Sequence, residues 1–165
     1  MSNPHGTSTG HAHSEADWLD THFQSARVEY EQALQFIGLK PGWKVLDAGC
    51  GGGSFLPLIV AEVGTSGAAT GLDLAPENVS RIDALVQCGQ LPKQCDARLG
   101  SITDVPFSDG TFDCVWSANV IQYLTEDQFD RAISEFKRVV RPGGVIAIKD
   151  FDDTLVQLLP MDPGM

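Results

Sequence analysis

Basic residues are scarce in this chain: 11 lysines and arginines stand against 22 aspartates and glutamates over 165 residues, a formal net charge of −11. Nucleic-acid binding needs a basic stripe to neutralise phosphates, and none is visible, so the charge argues against a nucleic-acid partner and otherwise serves solubility. The four cysteines, at 50, 88, 95 and 114, include no C-x-x-C pair. That removes a zinc site and, with most of them in elements expected to be buried, points to a reducing, cytoplasmic compartment. The residues show neither the pattern of a signal peptide nor an apolar run long enough to span a membrane. No serine-histidine pair, metal cluster or pair of carboxylates suggests itself as catalytic machinery, and His11-x-His13 reads as part of a solvated tail. What is present, 42% hydrophobic residues in 165, suffices for one sizeable core and leaves little room for a second domain.

The densest signal is Val45-Leu46-Asp47-Ala48-Gly49-Cys50-Gly51-Gly52-Gly53. An apolar, buried parallel strand ends on an acid and passes into a glycine-rich turn, and residues 54–63 read as the helix that follows. This is the first βα turn of a doubly wound α/β sheet, the edge at which such folds bind nucleotide-type cofactors. Dinucleotide folds use G-x-G-x-x-G to seat a pyrophosphate at the helix N-terminus, but Ser54 stands at the third glycine position here. The pattern is instead Asp47-x-Gly49-x-Gly51-x-Gly53. A carboxylate ahead of the first glycine repels phosphate and attracts an ammonium or sulfonium group, which points to S-adenosylmethionine rather than NAD. Residues 68–73 read as the next strand, with Asp73 at its C-terminal end, where a carboxylate can accept hydrogen bonds from both ribose hydroxyls, and Leu74 placed to face adenine. The structural alternative is a tight strand-helix connection with solvated acids.

With these residues in order, the chain resembles the class I S-adenosylmethionine-dependent methyltransferases, in the branch that modifies small molecules such as quinones and sterols. The resemblance spans about residues 20–150. Beyond the glycine turn it rests on Val105-Pro106-Phe107-Ser108-Asp109-Gly110-Thr111-Phe112-Asp113, leading into strand four, and Arg141-Pro142-Gly143-Gly144-Val145-Ile146-Ala147-Ile148, entering strand five. It implies a Rossmann-like, mostly parallel sheet of strand order 3-2-1-4-5. The family often carries an acid after strand three that accepts from the adenine amino group; this chain has Ser101, which keeps an acceptor without the charge, so adenine recognition would lean on Ile102 and apolar contacts. The candidate cofactor contacts are thus Asp47, Ala48, Gly49, Cys50, Gly51 and Gly53, then Asp73 and Leu74, Ser101 and Ile102, and finally Ser117, Ala118 and Asn119 after strand four.

Along the chain, residues 1–15 read as a flexible tail, 16–150 as the cofactor-binding methyltransferase domain and 151–165 as an incomplete C-terminal segment. Leu19, Phe23, Ala26, Tyr30, Leu34 and Ile37 recur at helical spacing until Gly38. In the resembling family such a segment often closes over the cofactor, which makes Arg27 and Tyr30 candidate lid contacts, with core packing for Tyr30 and a solvated face for Arg27 as the alternatives. Pro76 and Glu77 open a helix over 76–88, and a short third strand lies around 97–99. Strand four, over 112–116, should deliver residues 117–119 to the pocket, with Gln122 and Tyr123 in the turn after it. Thr125 and Gln128 form a capping box for a helix whose face Phe129, Ala132, Ile133, Phe136, Val139 and Val140 should lie on the sheet, with Pro142-Gly143-Gly144 as its stop. Strand five is expected over 145–148.

A complete member of the resembling family has a further helix and two more strands after strand five, so the expectation is a fragment with the last strands missing, or a short chain covered by a partner. Strand five would then be an exposed apolar edge open to self-association. Methyl transfer from a sulfonium is an in-line displacement in which the protein mainly positions its reactants. No general base is identified, and Asp150 and His22 are candidates by position alone. The expected activity is methyl transfer to a small-molecule acceptor. An NAD-dependent oxidoreductase and a non-catalytic cofactor-binding module remain open.

Overall fold

The computed structural model describes residues 23–150. The expected tail, His11, His13, His22 and Leu19, and the segment 151–165 lie outside the described residues. Helix α1 (Arg27–Ile37) buries Tyr30 and Leu34 and ends at Gly38, whose φ of 69° is the left-handed conformation that closes a helix with little strain in glycine. Five strands follow: β1 (Lys44–Ala48), β2 (Ala68–Asp73), β3 (Cys95–Leu99), β4 (Phe112–Ala118) and β5 (Val140–Lys149). Between them run α2 (Leu56–Val63), α3 (Pro76–Gln87) and α4 (Glu126–Val139). All four strand pairings are parallel and the order is β3-β2-β1-β4-β5, the doubly wound arrangement expected from the alternation of strand and helix signals.

Because side chains alternate along each strand, the sheet buries two cores. On one face Val45, Ala69, Cys114 and Trp116 pack with Tyr30 and Leu34 of α1, Ile59 and Val63 of α2, and Ile82 of α3. On the other, Leu46, Ala48, Leu72 and Val115 pack with Ala132, Phe136 and Val139 of α4. Covering both faces is what a parallel sheet requires, and each fully buried residue such as Leu46 or Phe136 contributes roughly 1.5–3 kcal/mol.

Two sequence expectations need correction. The last α-helix stops at Val139, before Pro142-Gly143-Gly144, because Val140 already pairs with Phe112 on β4. Strand five therefore begins five residues earlier than its apolar run, with a register shift opposite the Phe112 to Cys114 step. Gly144 is required in that bulge, since a Cβ there would lie 2.6 Å from the Asp113 carbonyl oxygen. Phe129 is 38% exposed rather than laid on the sheet: it stands in the first turn of α4 and lines a surface depression with Ile121 and Leu124. The expected capping box is present: the Gln128 amide donates to Thr125 Oγ1 at 3.3 Å and the Thr125 amide to Gln128 Oε1 at 2.9 Å.

Candidate cofactor cleft

The C-terminal ends of β1, β2 and β4 bring the glycine turn, Asp73 and Asn119 to one edge of the sheet. Gly49, Gly51 and Gly53 all have positive φ, at 84°, 52° and 84°. At Gly49 space matters as much as conformation: a Cβ would stand 2.4 Å from Val120 Cγ2, so the turn lies directly against the residues after β4. The Gly49 and Cys50 amides both donate to the Leu72 carbonyl, at 2.8 and 3.0 Å, which ties the turn to the end of β2.

Asp47 is 1% exposed and its Oδ2 has no hydrogen-bond partner. Burial pushes its carboxyl up to about 8, and the nearby Asp73 carboxylate adds to the rise. A buried, unpartnered carboxyl oxygen under a glycine turn is what a cationic ligand group would satisfy and what a pyrophosphate would oppose. On this test the residues present fit S-adenosylmethionine, whose ammonium and sulfonium are positive, better than NAD.

Asp73 is built into the turn as well as facing it. Its Oδ2 accepts from the Gly51 amide at 2.8 Å, and its Oδ1 accepts from the Ala75 amide at 2.9 Å and Asn78 Nδ2 at 3.2 Å. Two carboxylate oxygens offer about four lone-pair directions, so three donors leave acceptor capacity for a ligand hydroxyl. Asn78, 2% exposed at the start of α3, was not anticipated; its signal was its place in Asp73-x-x-Pro76-x-Asn78. Beside Asp73, Leu74 is 60% and Leu99 55% exposed, so two large apolar side chains stand open at neighbouring strand ends.

Several candidates have buried side chains. Ala48 is fully buried, Cys50 is 6% exposed with its thiol turned into the core, and Ile102 is 7% exposed within the α4-side core. Ser117 does not line a pocket: it is 1% exposed and its hydroxyl donates to the Ala48 carbonyl at 2.9 Å, because the alternation of β4 points it away from Trp116 and Ala118. Ser101 exchanges a 2.7 Å hydrogen bond with Thr103 Oγ1 and accepts from the Thr103 amide at 3.1 Å, which shapes the loop after β3. Arg27 forms an exposed ion pair with Glu31 at 2.7 Å, the solvated face. Tyr30 is 1% exposed and stacks among Phe23 and Phe55, with Asn119 Nδ2 donating to its hydroxyl at 2.7 Å. Asp150 Oδ2 accepts from the Gln122 amide at 3.2 Å, and Tyr123 is 51% exposed. Trp116 was also unforeseen: it pairs with Asp47 across β1 and β4, and its buried indole Nε1 likewise has no partner. Among the described residues no cluster of histidine, cysteine and acidic side chains could hold a metal, and no helix is long and apolar enough to cross a membrane. The four cysteines are free thiols, with only Cys88 exposed.

The family described as methyltransferase domain matches residues 45–144, from the first strand of the cleft to the entry of the fifth. A demethylmenaquinone methyltransferase of Bacillus cereus is 31% identical over 139 residues, covering 81% of this chain and 56% of that protein. An uncharacterised methyltransferase of Synechocystis is 32% identical over 121 residues, covering 73% and 53%. The crystal structure of a SAM dependent methyltransferase from Aquifex aeolicus aligns with a TM-score of 0.74 at 28% identity, over 88% of this chain and 78% of that one. This chain spans about half the length of those two curated relatives. The domain match, these relatives and the cleft described above agree: the chain belongs to the class I S-adenosylmethionine-dependent methyltransferases.

Proposed function

We propose that this domain binds S-adenosylmethionine across the glycine turn and directs its methyl group to a small-molecule acceptor by in-line displacement. The observation that carries the reading is Asp47: a buried carboxyl with an unpartnered oxygen at the penultimate position of β1, two residues ahead of Gly49. In this reading the Asp47 carboxyl gives up its proton as the cationic methionine end binds and becomes its counter-charge, and Asp73 accepts from the ribose hydroxyls with its remaining lone pairs. The exposed Leu74 and Leu99 offer apolar surface to adenine, with Ser101 and Ile102 at its edge.

The cofactor supplies both the reactive carbon and the leaving thioether, so the chain's own work is binding, alignment and exclusion of water. The acceptor is read as small because the acidic surface disfavours nucleic acid and because the curated Bacillus relative is named for methylating demethylmenaquinone. The test is transfer of tritiated methyl from S-adenosylmethionine to a panel of quinols, phenols and sterols, with an oligonucleotide as control. Label in a small acceptor and none in the oligonucleotide is the expected result. Cofactor binding without transfer to any member would favour the non-catalytic module.

A further inference from the structure

One cation at the cleft is held by neutral partners. Lys149, the last residue of β5, donates from Nζ to Asn119 Oδ1 at 2.9 Å and sits 4.9 Å from the centroid of the Tyr30 ring. Asn119 is fixed from three sides. Its amide donates to the Lys149 carbonyl at 2.9 Å, its Nδ2 donates to the Tyr30 hydroxyl at 2.7 Å, and its φ of 57° makes it the one non-glycine residue with positive φ among those described. The next residue, Val120, lies against Gly49, so the cluster borders the glycine turn.

Three arginines near acids are neutralised, Arg27 by Glu31, Arg138 by Glu135 and Asp109, and Arg141 by Asp113. Among the described residues no carboxylate stands within ion-pair distance of Lys149, although the whole sequence has twice as many acids as bases. An ammonium has three donors, and Asn119 uses one. Lys149 is thus a partly buried cation with no carboxylate partner among the described residues, braced by a positive-φ asparagine whose neighbour Val120 packs on the glycine turn, and two of its donors are left for an anion that the described residues do not supply.

We propose that Lys149, oriented by Asn119 and Tyr30, is a binding site for an acidic oxygen: either the α-carboxylate of the cofactor or an ionised carboxylate or phenolate on the methyl acceptor. The inference rests on the proposed cofactor reading and deepens it, since the acidic oxygen would be held beside the reacting centre.

The test compares wild type with Lys149→Gln, which keeps a hydrogen-bond donor for Asn119 and removes the charge, and with Lys149→Arg, which restores a cation. In the first arm, S-adenosylhomocysteine and 5′-methylthioadenosine, which lacks the amino-acid end, are titrated by calorimetry. A loss of about tenfold for the former in Lys149→Gln, no change for the latter and recovery in Lys149→Arg assigns the site to the cofactor carboxylate. In the second arm, protein saturated with S-adenosylhomocysteine is titrated with 2-naphthoate and its neutral amide. A preference for the acid in wild type that disappears in Lys149→Gln assigns the site to an acidic acceptor. If the glutamine variant, folded to the same melting temperature, changes neither arm, Lys149 is a structural clasp and the proposal fails. If wild type binds no S-adenosylhomocysteine at all, the cofactor reading itself has failed and takes this inference with it.

Discussion

Replacing Asp47 by asparagine should stabilise the ligand-free protein at alkaline pH and flatten its pH dependence. Folding moves the Asp47 carboxyl from an ordinary value near 4 up to about 8, through burial and the Asp73 carboxylate. A raised folded value means that the native state holds a proton the unfolded state has released. Stability from this group is therefore greatest below pH 4 and falls through the window from about 4 to about 8. The slope reaches at most about 1.4 kcal/mol per pH unit, and the total is on the order of 5 kcal/mol. Asparagine carries no charge to desolvate but leaves a buried amide donor in need of a partner, a cost of about 1–3 kcal/mol. The net expectation is that Asp47→Asn is less stable than wild type near pH 5 and more stable by about 2–4 kcal/mol at pH 8.5. Urea denaturation followed by tryptophan fluorescence at half-unit pH steps measures this, and the difference between the two proteins isolates Asp47 from every other titration. Parallel profiles from pH 5 to 8.5 would refute the buried Asp47 carboxyl with its unpartnered Oδ2 and with it the site's claim on a cationic ligand.

Arg138 joins α4 to the segment entering β4, donating to the carbonyls of Val105 and Phe107 at 2.8 and 2.7 Å and to both oxygens of Glu135. Arg138→Met should destabilise by about 2 kcal/mol at pH 7, because two carbonyls and a carboxylate lose a charged donor. The Arg138 hydrogen bond is the main reason the Glu135 carboxyl lies below its ordinary value, so the difference from wild type should shrink as pH falls through that lowered value; a gap unchanged at pH 3 would contradict the assignment. Strand β5 pairs with β4 alone among the described strands, and Ile148 on it is 37% exposed, so the 165-residue chain should associate with rising concentration unless another chain covers that edge. Sedimentation showing a monomer at every concentration, with Ile148→Lys behaving identically, would count against an open edge.

What was legible in the sequence was local. The glycine turn, the two acids at strand ends and the Thr125 capping box each involve residues a few positions apart, and both periodicities, two for strands and 3.6 for helices, survive folding unchanged. What was missed depended on partners distant in the chain. The local pattern places Ser117 in the pocket lining, yet β-sheet register delivers its hydroxyl to Ala48, 69 residues away. The early start of β5 follows from pairing with Phe112, which overrode a proline-glycine-glycine run that reads locally as a helix stop. Lys149 carried no motif. Its environment is assembled from Tyr30 on α1 and Asn119 after β4, and the bond between those two spans 89 residues. Asp73 was placed correctly at the end of β2, but its three hydrogen bonds to the turn and to α3 could be seen only once the Gly51 amide was brought across from β1.

The proposed function stands or falls on whether the edge formed by Asp47, the glycine turn and Asp73 binds S-adenosylmethionine. Calorimetric titration of the 165-residue chain with S-adenosylhomocysteine and with NAD, repeated on Asp73→Ala, tests it most directly. Binding of S-adenosylhomocysteine in preference to NAD is expected, with a loss of roughly 1–3 kcal/mol in the variant as two ribose hydroxyls lose a charged acceptor. Tighter binding of NAD, or an affinity for S-adenosylhomocysteine unchanged by Asp73→Ala, would contradict it.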